Sequence, residues 1–192
     1  MFRLGTTSYI LPADLVANAR FLADKVQDVQ LVLFDLDDGQ SNLPSPEVIA
    51  ELAGVAAAHG LTFTVHLPLD LRLGDDAAGA GEEDHLSLIK AKKVIDCTRA
   101  LNPFAYVAHL DGRSVKNGAT TAQLARWQSQ SVRALEIVAG RVGGPHLLAI
   151  ENLEGYALDF IQPVLDCIPV SRCMDIGHLW ADIKANLMWR FN

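Results

Sequence analysis

Six short runs of apolar and β-branched residues punctuate the chain, at positions 2–8, 29–36, 62–67, 104–110, 147–152 and 171–176. Each is nearly continuously hydrophobic, which predicts strands covered on both faces within a parallel sheet. Between the runs the period lengthens to that of an amphipathic helix. Ser45 supplies an N-cap, Pro46 a first-turn proline and Glu47 an early acid. Val48, Ile49, Leu52 and Val55 then form one apolar face, and Gly60 ends the helix. A second helix is predicted over 86–101, with Lys90, Lys92 and Lys93 on its solvated face. A third follows Thr120 and Thr121, where Leu124, Trp127, Leu135 and Val138 recur at helical spacing. Pro163 keeps the helix before Ser171 short, and the glycines and acids over 74–84 read as a loop.

Strand followed by helix, six times in 192 residues, is an α/β rhythm. No low-complexity linker divides it, so residues 1–192 are read as a single domain. A (β/α)8 barrel has this rhythm but normally needs about 250 residues, and a doubly wound open sheet has it too. No GxGxxG or GxxxxGK[ST] string follows any strand, so the nucleotide-binding versions lack their phosphate loops.

The residues where each apolar run gives out separate the two. Chemistry on such folds sits at the carboxyl ends of the strands. Run two ends at Asp35, run three at His66, run four at His109 followed by Asp111, run five at Glu151-Asn152, and run six at Asp175 with His178 just beyond. Imidazole and carboxylate are suitable donors for Zn²⁺, Mn²⁺ or Fe²⁺. In a barrel, strand ends converge on one mouth, so residues far apart in sequence can share an ion. The expected fold is therefore α/β of the (β/α)8 TIM barrel type, with about six βα units, parallel strands and open edges. His66, His109, Glu151, Asp175 and His178 are the expected metal ligands. The other histidines serve as an internal control: His59 in a helix's last turn, His85 at a helix start and His146 before a strand all read as structural or surface residues.

Composition narrows the function. Half the residues are hydrophobic and 20% charged, enough for a sizeable core. The net charge of −7 argues against binding to nucleic acid or anionic membranes, which needs clustered Lys and Arg. Cys97, Cys167 and Cys173 form no CxxC pair and are expected as small buried hydrophobes in a reducing compartment. The start, MFRLGTTSYILP, lacks the apolar stretch of a signal peptide, and no run approaches the ~18 apolar residues of a membrane span. The expected compartment is the cytoplasm.

The strings VHLP, HLDG, IEN and, most specifically, MDIGH resemble the strand-end motifs of the xylose-isomerase-like barrel superfamily, which includes endonuclease IV, sugar isomerases and epimerases. The order His, His, Glu, Asp-x-x-His is similar to that of the endonuclease IV branch. LGTTSYILPADL, DVQLVLFD, QSNLP and TFTVHLPLDLRLG resemble the cobamide-remodelling phosphodiesterases, the CbiR family. That resemblance implies cleavage of the phosphodiester joining a corrinoid to its lower-ligand nucleoside, giving a corrinoid phosphate and an α-riboside. It also implies that His66, His109 and Glu151 hold one metal ion. Glu151 would bridge to a second ion aided by Asp175, these two being the catalytic carboxylates, and His178 would serve a third. Asp111, Asn152 and Glu154 would orient ligands or touch substrate, and Asp35 would be a substrate contact or a capped strand end. The partner is then a small molecule, a cobamide, with no membrane and no nucleic acid.

The superfamily also has strands seven and eight, whereas this sequence stops at Asn192 soon after His178. Read as a truncated barrel, it would leave strands one and six as unpaired edges that invite homodimerisation or aggregation. Two alternatives stand beside the phosphodiesterase: a sugar isomerase or epimerase using similar ligands, and a truncated, inactive metal-binding remnant.

Overall fold

A computed structural model describes residues 3–36, 38–75 and 85–181. Most of the expected 74–84 loop and the stretch 185–192 lie outside those residues; Gly74 and Asp75 sit in a turn. The strands are β1 (Gly5–Thr7), β2 (Asp28–Val32), β3 (Thr62–His66), β4 (Ala105–His109), β5 (Leu148–Glu151) and β6 (Ser171–Cys173). The helices are α1 (Leu15–Leu22), α2 (Pro46–His59), α3 (Leu86–Thr98), α4 (Thr121–Val142) and α5 (Gln162–Leu165). All neighbouring strands pair in parallel, and their order across the sheet is β1-β2-β3-β4-β5-β6.

That order decides between the two sheets the sequence allowed. A doubly wound sheet reverses direction at a switch point. Here every crossover advances one strand in the same direction, so right-handed connections place all helices on one side. Among the described residues the fold is α/β, with six parallel strands joined through five helices in the manner of a barrel wall.

The anticipated helices form for the anticipated reasons. Ser45 Oγ accepts from Val48 N, Pro46 opens α2, and Gly60 closes it at φ 65°. Thr120 and Gln123 make a reciprocal capping box at the start of α4. α5 is only four residues long, with Pro163 inside its first turn. The pattern reading did not single out α1, whose signal is Asp14: its side chain accepts from Ala17 N. The core fills the space between sheet and helices, with Val29, Leu31, Phe63, Val65, Leu148 and Ile150 packed against Leu52, Ile95, Trp127, Leu135 and Val138. Among the described residues no helix is long and apolar enough to cross a membrane.

Three expectations are corrected. Of the six strands, only β5 is buried throughout; β2 and β3 alternate, and β1 and β6 are largely exposed because each is a sheet edge among the described residues. Lys90 does not belong to a solvated face: it is buried and its Nζ donates to Asp70 Oδ2 at 2.5 Å, while Lys93 Nζ donates to Asp35 Oδ2 at 2.7 Å. No cysteine is fully buried. Cys97 and Cys173 are half-buried, and Cys167 is exposed in the turn after α5.

Candidate metal centre

Strand register aligns the donors. Val32 pairs with His66, His66 with Val107, His109 with Glu151, and Glu151 with Cys173. Residues i and i+2 of a strand share a face, so His66 points to the same side of the sheet as His109, two positions beyond its partner Val107. Glu151, directly opposite His109, joins them. The result is one cluster from three neighbouring strand ends.

His66 Nε2 lies 3.3 Å from Glu151 Oε2, and His109 Nε2 lies 3.8 Å from Oε1 of the same carboxylate. The His66 and His109 rings meet edge to face with centroids 4.8 Å apart. His178 Nδ1 approaches the same oxygen as His109, 3.5 Å from Glu151 Oε1, and lies 3.8 Å from Asp175 Oδ2. The donor atoms therefore fall into two groups, His66-His109-Glu151 and Glu151-Asp175-His178. Within each group all of them lie within 4.8 Å of one another. Glu151 belongs to both.

The hydrogen bonds test whether a cation fits. His66 Nδ1–H donates to the Leu67 carbonyl at 2.6 Å, so a neutral His66 aims its Nε2 lone pair at the Glu151 carboxylate. His178 Nδ1, the nitrogen that approaches Glu151 and Asp175, also lies 2.8 Å from the Asn152 carbonyl and donates to it, so in this arrangement Nδ1 is a proton donor and Nε2 keeps the lone pair. A backbone acceptor that fixes the tautomer and turns Nε2 to the carboxylate, as at His66, is a usual support of a metal-bound histidine. His66 and Glu151 are both buried. Two buried acceptors facing each other need a proton or a cation between them. With protons rather than a cation between them, burial pushes the Glu151 carboxyl up, but hydrogen bonding and charge from His109 and His66 outweigh it and hold the group well below the ordinary carboxylate range. Nitrogen and oxygen donors in this number suit Zn²⁺, Mn²⁺ or Fe²⁺.

The remaining candidates fall elsewhere. Asp111 is buried two residues after His109; its Oδ1 accepts from Tyr156 Oη at 2.8 Å and from Arg113 N at 2.9 Å, and its Oδ2 accepts from Arg113 Nε at 2.5 Å. Asn152 bonds the backbone of Asp175 in both directions, with Oδ1 accepting from its N–H at 2.7 Å and Nδ2 donating to its carbonyl at 3.0 Å. Asp35 lies three residues past β2, where Lys93 holds its carboxyl below the ordinary value and Ser41 pairs with it in an isolated bridge. Glu154 is exposed in the turn after β5. His59 pairs with Asp24 at 2.8 Å, His85 stands at the N-cap position of α3 without a side-chain capping bond, and His146 sits exposed before β5; none of the three joins a donor group.

The sequence reading missed Tyr156 and Cys173. Tyr156 shares a narrow crevice with Leu110, Glu151, Asn152 and Phe160, and Lys116 Nζ stands 4.3 Å over its ring. Cys173 Sγ approaches Glu151 Oε2 at 3.9 Å. Neither carried a periodic or motif signal; only the five-residue offset of Tyr156 from Glu151 places it near the cluster.

No family model and no curated protein matches the sequence. Solved structures do match its fold. A D-tagatose 3-epimerase-like protein superposes with a TM-score of 0.67 at 16% identity, over 93% of this chain and 66% of its own. The 3-keto-D-glucoside 4-epimerase of E. coli gives 0.66 at 16% identity, over 93% and 70%. Endonuclease IV from Thermus thermophilus gives 0.60 at 19% identity, over 92% and 64%. This chain thus spans about two thirds of the length of those proteins. A parallel sheet in strict chain order, alternating helices and these superpositions give the chain an α/β fold that matches part of the barrel of those proteins.

Proposed function

We propose that the chain belongs to a divalent-metal enzyme that hydrolyses a phosphodiester at the mouth formed by β3 to β6. The observation that carries this reading is the shared carboxylate: Glu151 faces His66 with one oxygen and His109 and His178 with the other. A carboxylate placed between two donor groups suits a pair of cations. Such a pair would neutralise phosphate oxygens, activate water and stabilise the leaving alkoxide. In this assignment His66 and His109 hold one side of the cluster. Asp175 and His178 hold the other, and Glu151 serves both. Asp111 acts through Arg113 and Tyr156, fixing two side chains beside the crevice. Asp35, already engaged by Lys93, holds the loop after β2, and Glu154 is free to meet substrate.

The resemblance of the N-terminal third to the cobamide-remodelling phosphodiesterases supplies the substrate class: the nucleotide-loop phosphodiester of a cobamide. A second reading has its own support, since the solved neighbours described above include a 3-keto-D-glucoside 4-epimerase and a D-tagatose 3-epimerase-like protein. There, one cation at His66, His109 and Glu151 would polarise a hydroxy-carbonyl while an acid-base pair moves a proton. The test is to incubate the metal-loaded protein separately with an adenosylcobamide and with ketoses. Release of a corrinoid phosphate supports the hydrolase. Epimerised ketose with intact cobamide replaces it with the epimerase, and metal binding without either turnover leaves a non-catalytic metal-binding module.

A further inference from the structure

We propose that Asn152 is a positioning residue for the second donor group, holding both ends of the turn from Asp175 to His178 so that this group can grip a cation. The inference deepens the two-group reading above and rests on it.

The sheet ladder runs out at this point. Cys173 is the last residue of β6, and its carbonyl accepts from Asn152 N at 3.3 Å. Beyond it the Asn152 side chain continues the pairing. Its amide matches the Asp175 peptide donor for acceptor and acceptor for donor, at 2.7 and 3.0 Å. Only a primary amide offers both functions from one planar group, and asparagine presents them one methylene closer than glutamine would. The main-chain carbonyl of the same residue takes the His178 Nδ1–H at 2.8 Å. Between these anchors Asp175 Oδ1 accepts His178 N at 2.9 Å, closing the turn.

Among the described residues the side chains that flank Asp175 contribute little packing to this turn. Met174 and Ile176, which flank Asp175, are 67% and 75% exposed. By contrast His66 is buried beside core residues Val65 and Leu67, and its donor group needs no such clamp. Glu151 and Asn152 are consecutive, so the residue that supplies the shared carboxylate is covalently joined to the one that fixes its two partners. Supporting residues of this kind typically change metal affinity 10- to 100-fold when removed.

The test uses the full 192-residue chain, stripped by a chelator and titrated with Zn²⁺ by calorimetry, with bound metal counted by elemental analysis. The unmodified chain is expected to bind two classes of Zn²⁺. Asn152→Ala should leave one class at its original affinity and weaken the other about 10- to 100-fold. His178→Ala should weaken the same class. Asn152→Gln keeps the polar chemistry and guards against misfolding of the alanine variant, and it too should weaken that class because its amide is displaced. Unchanged binding of both classes in a folded Asn152 variant overturns the positioning role alone. A single class in the unmodified chain overturns the two-group reading itself.

Discussion

Replacing Glu151 by Gln keeps the shape of the side chain while removing its charge and one of its two acceptor oxygens. Because the carboxylate belongs to both donor groups, the loss is felt twice. A ligand present at about a hundred times its Kd stabilises the folded state by about 2.7 kcal/mol per site. Two groups then contribute about 5 kcal/mol. A domain of this size gains roughly 2–4 °C per kcal/mol, so saturating Zn²⁺ should raise the Tm of the unmodified chain by roughly 10–20 °C over the chelated form. If Glu151→Gln weakens each group at least a hundredfold, the residual stabilisation is about 0.4 kcal/mol apiece, a rise of about 2–3 °C. His146→Ala, outside both groups, should keep the full rise. Thermal unfolding followed by circular dichroism, with chelator and with Zn²⁺, measures all three. A Glu151→Gln variant that retains the full metal-dependent rise would refute the shared-carboxylate argument.

Other consequences can be checked with simpler measurements. A Cβ at Gly112 would overlap the Phe160 ring and come within 3.2 Å of Trp127, so Gly112→Ala should cost about 1–3 kcal/mol, read as a lower urea midpoint at unchanged slope. Burial pushes the Asp111 carboxyl up, but hydrogen bonds from Arg113 and Tyr156 bring it below its ordinary value. Its stabilisation is therefore present above the unfolded carboxylate pKa of about 3.9 and lost as pH falls through the lower folded value. The stability gap between the unmodified chain and Asp111→Asn should be constant near pH 6 and shrink below about pH 4; a gap that widens on acidification would contradict it. Burial pushes the Cys97 and Cys173 thiols up to about 11, whereas Cys167 is exposed. A disulfide reagent at neutral pH should label Cys167 first, and Cys167→Ser should abolish the fast phase.

Much of this arrangement was legible from letters alone, because the signals are local. The apolar runs at 62–67, 104–110 and 147–152 contain β3, β4 and β5 to within a residue at each end, since β4 and β5 bury most of their residues and β3 alternates buried Phe63 and Val65 with half-buried threonines. The same run type misjudged β1 and β6: exposure at a sheet edge is a property of position in the sheet, which no single segment encodes. Lys90 is a different case. On a helical wheel it stands nearly opposite Lys92 and beside buried Val94, so its inward position was readable, while its partner Asp70 comes from a loop that the helix does not encode. The donors were readable because each stands where a hydrophobic run stops. Their division was implied by the family resemblance rather than by the letters, with His178 set apart for a third ion; that His178 joins Glu151 and Asp175 depends on register and on the turn that Asn152 anchors.

Strand order in this sheet equals order of synthesis, so each βα unit can add to the edge left by the one before without the sheet reopening. His66 and His109 are made before the carboxylate they face, and β6, Asp175 and His178 after it. A cation held by the earlier donors alone would meet two imidazoles and one acid, and β6 with the turn beyond it would bring the donors on the other side.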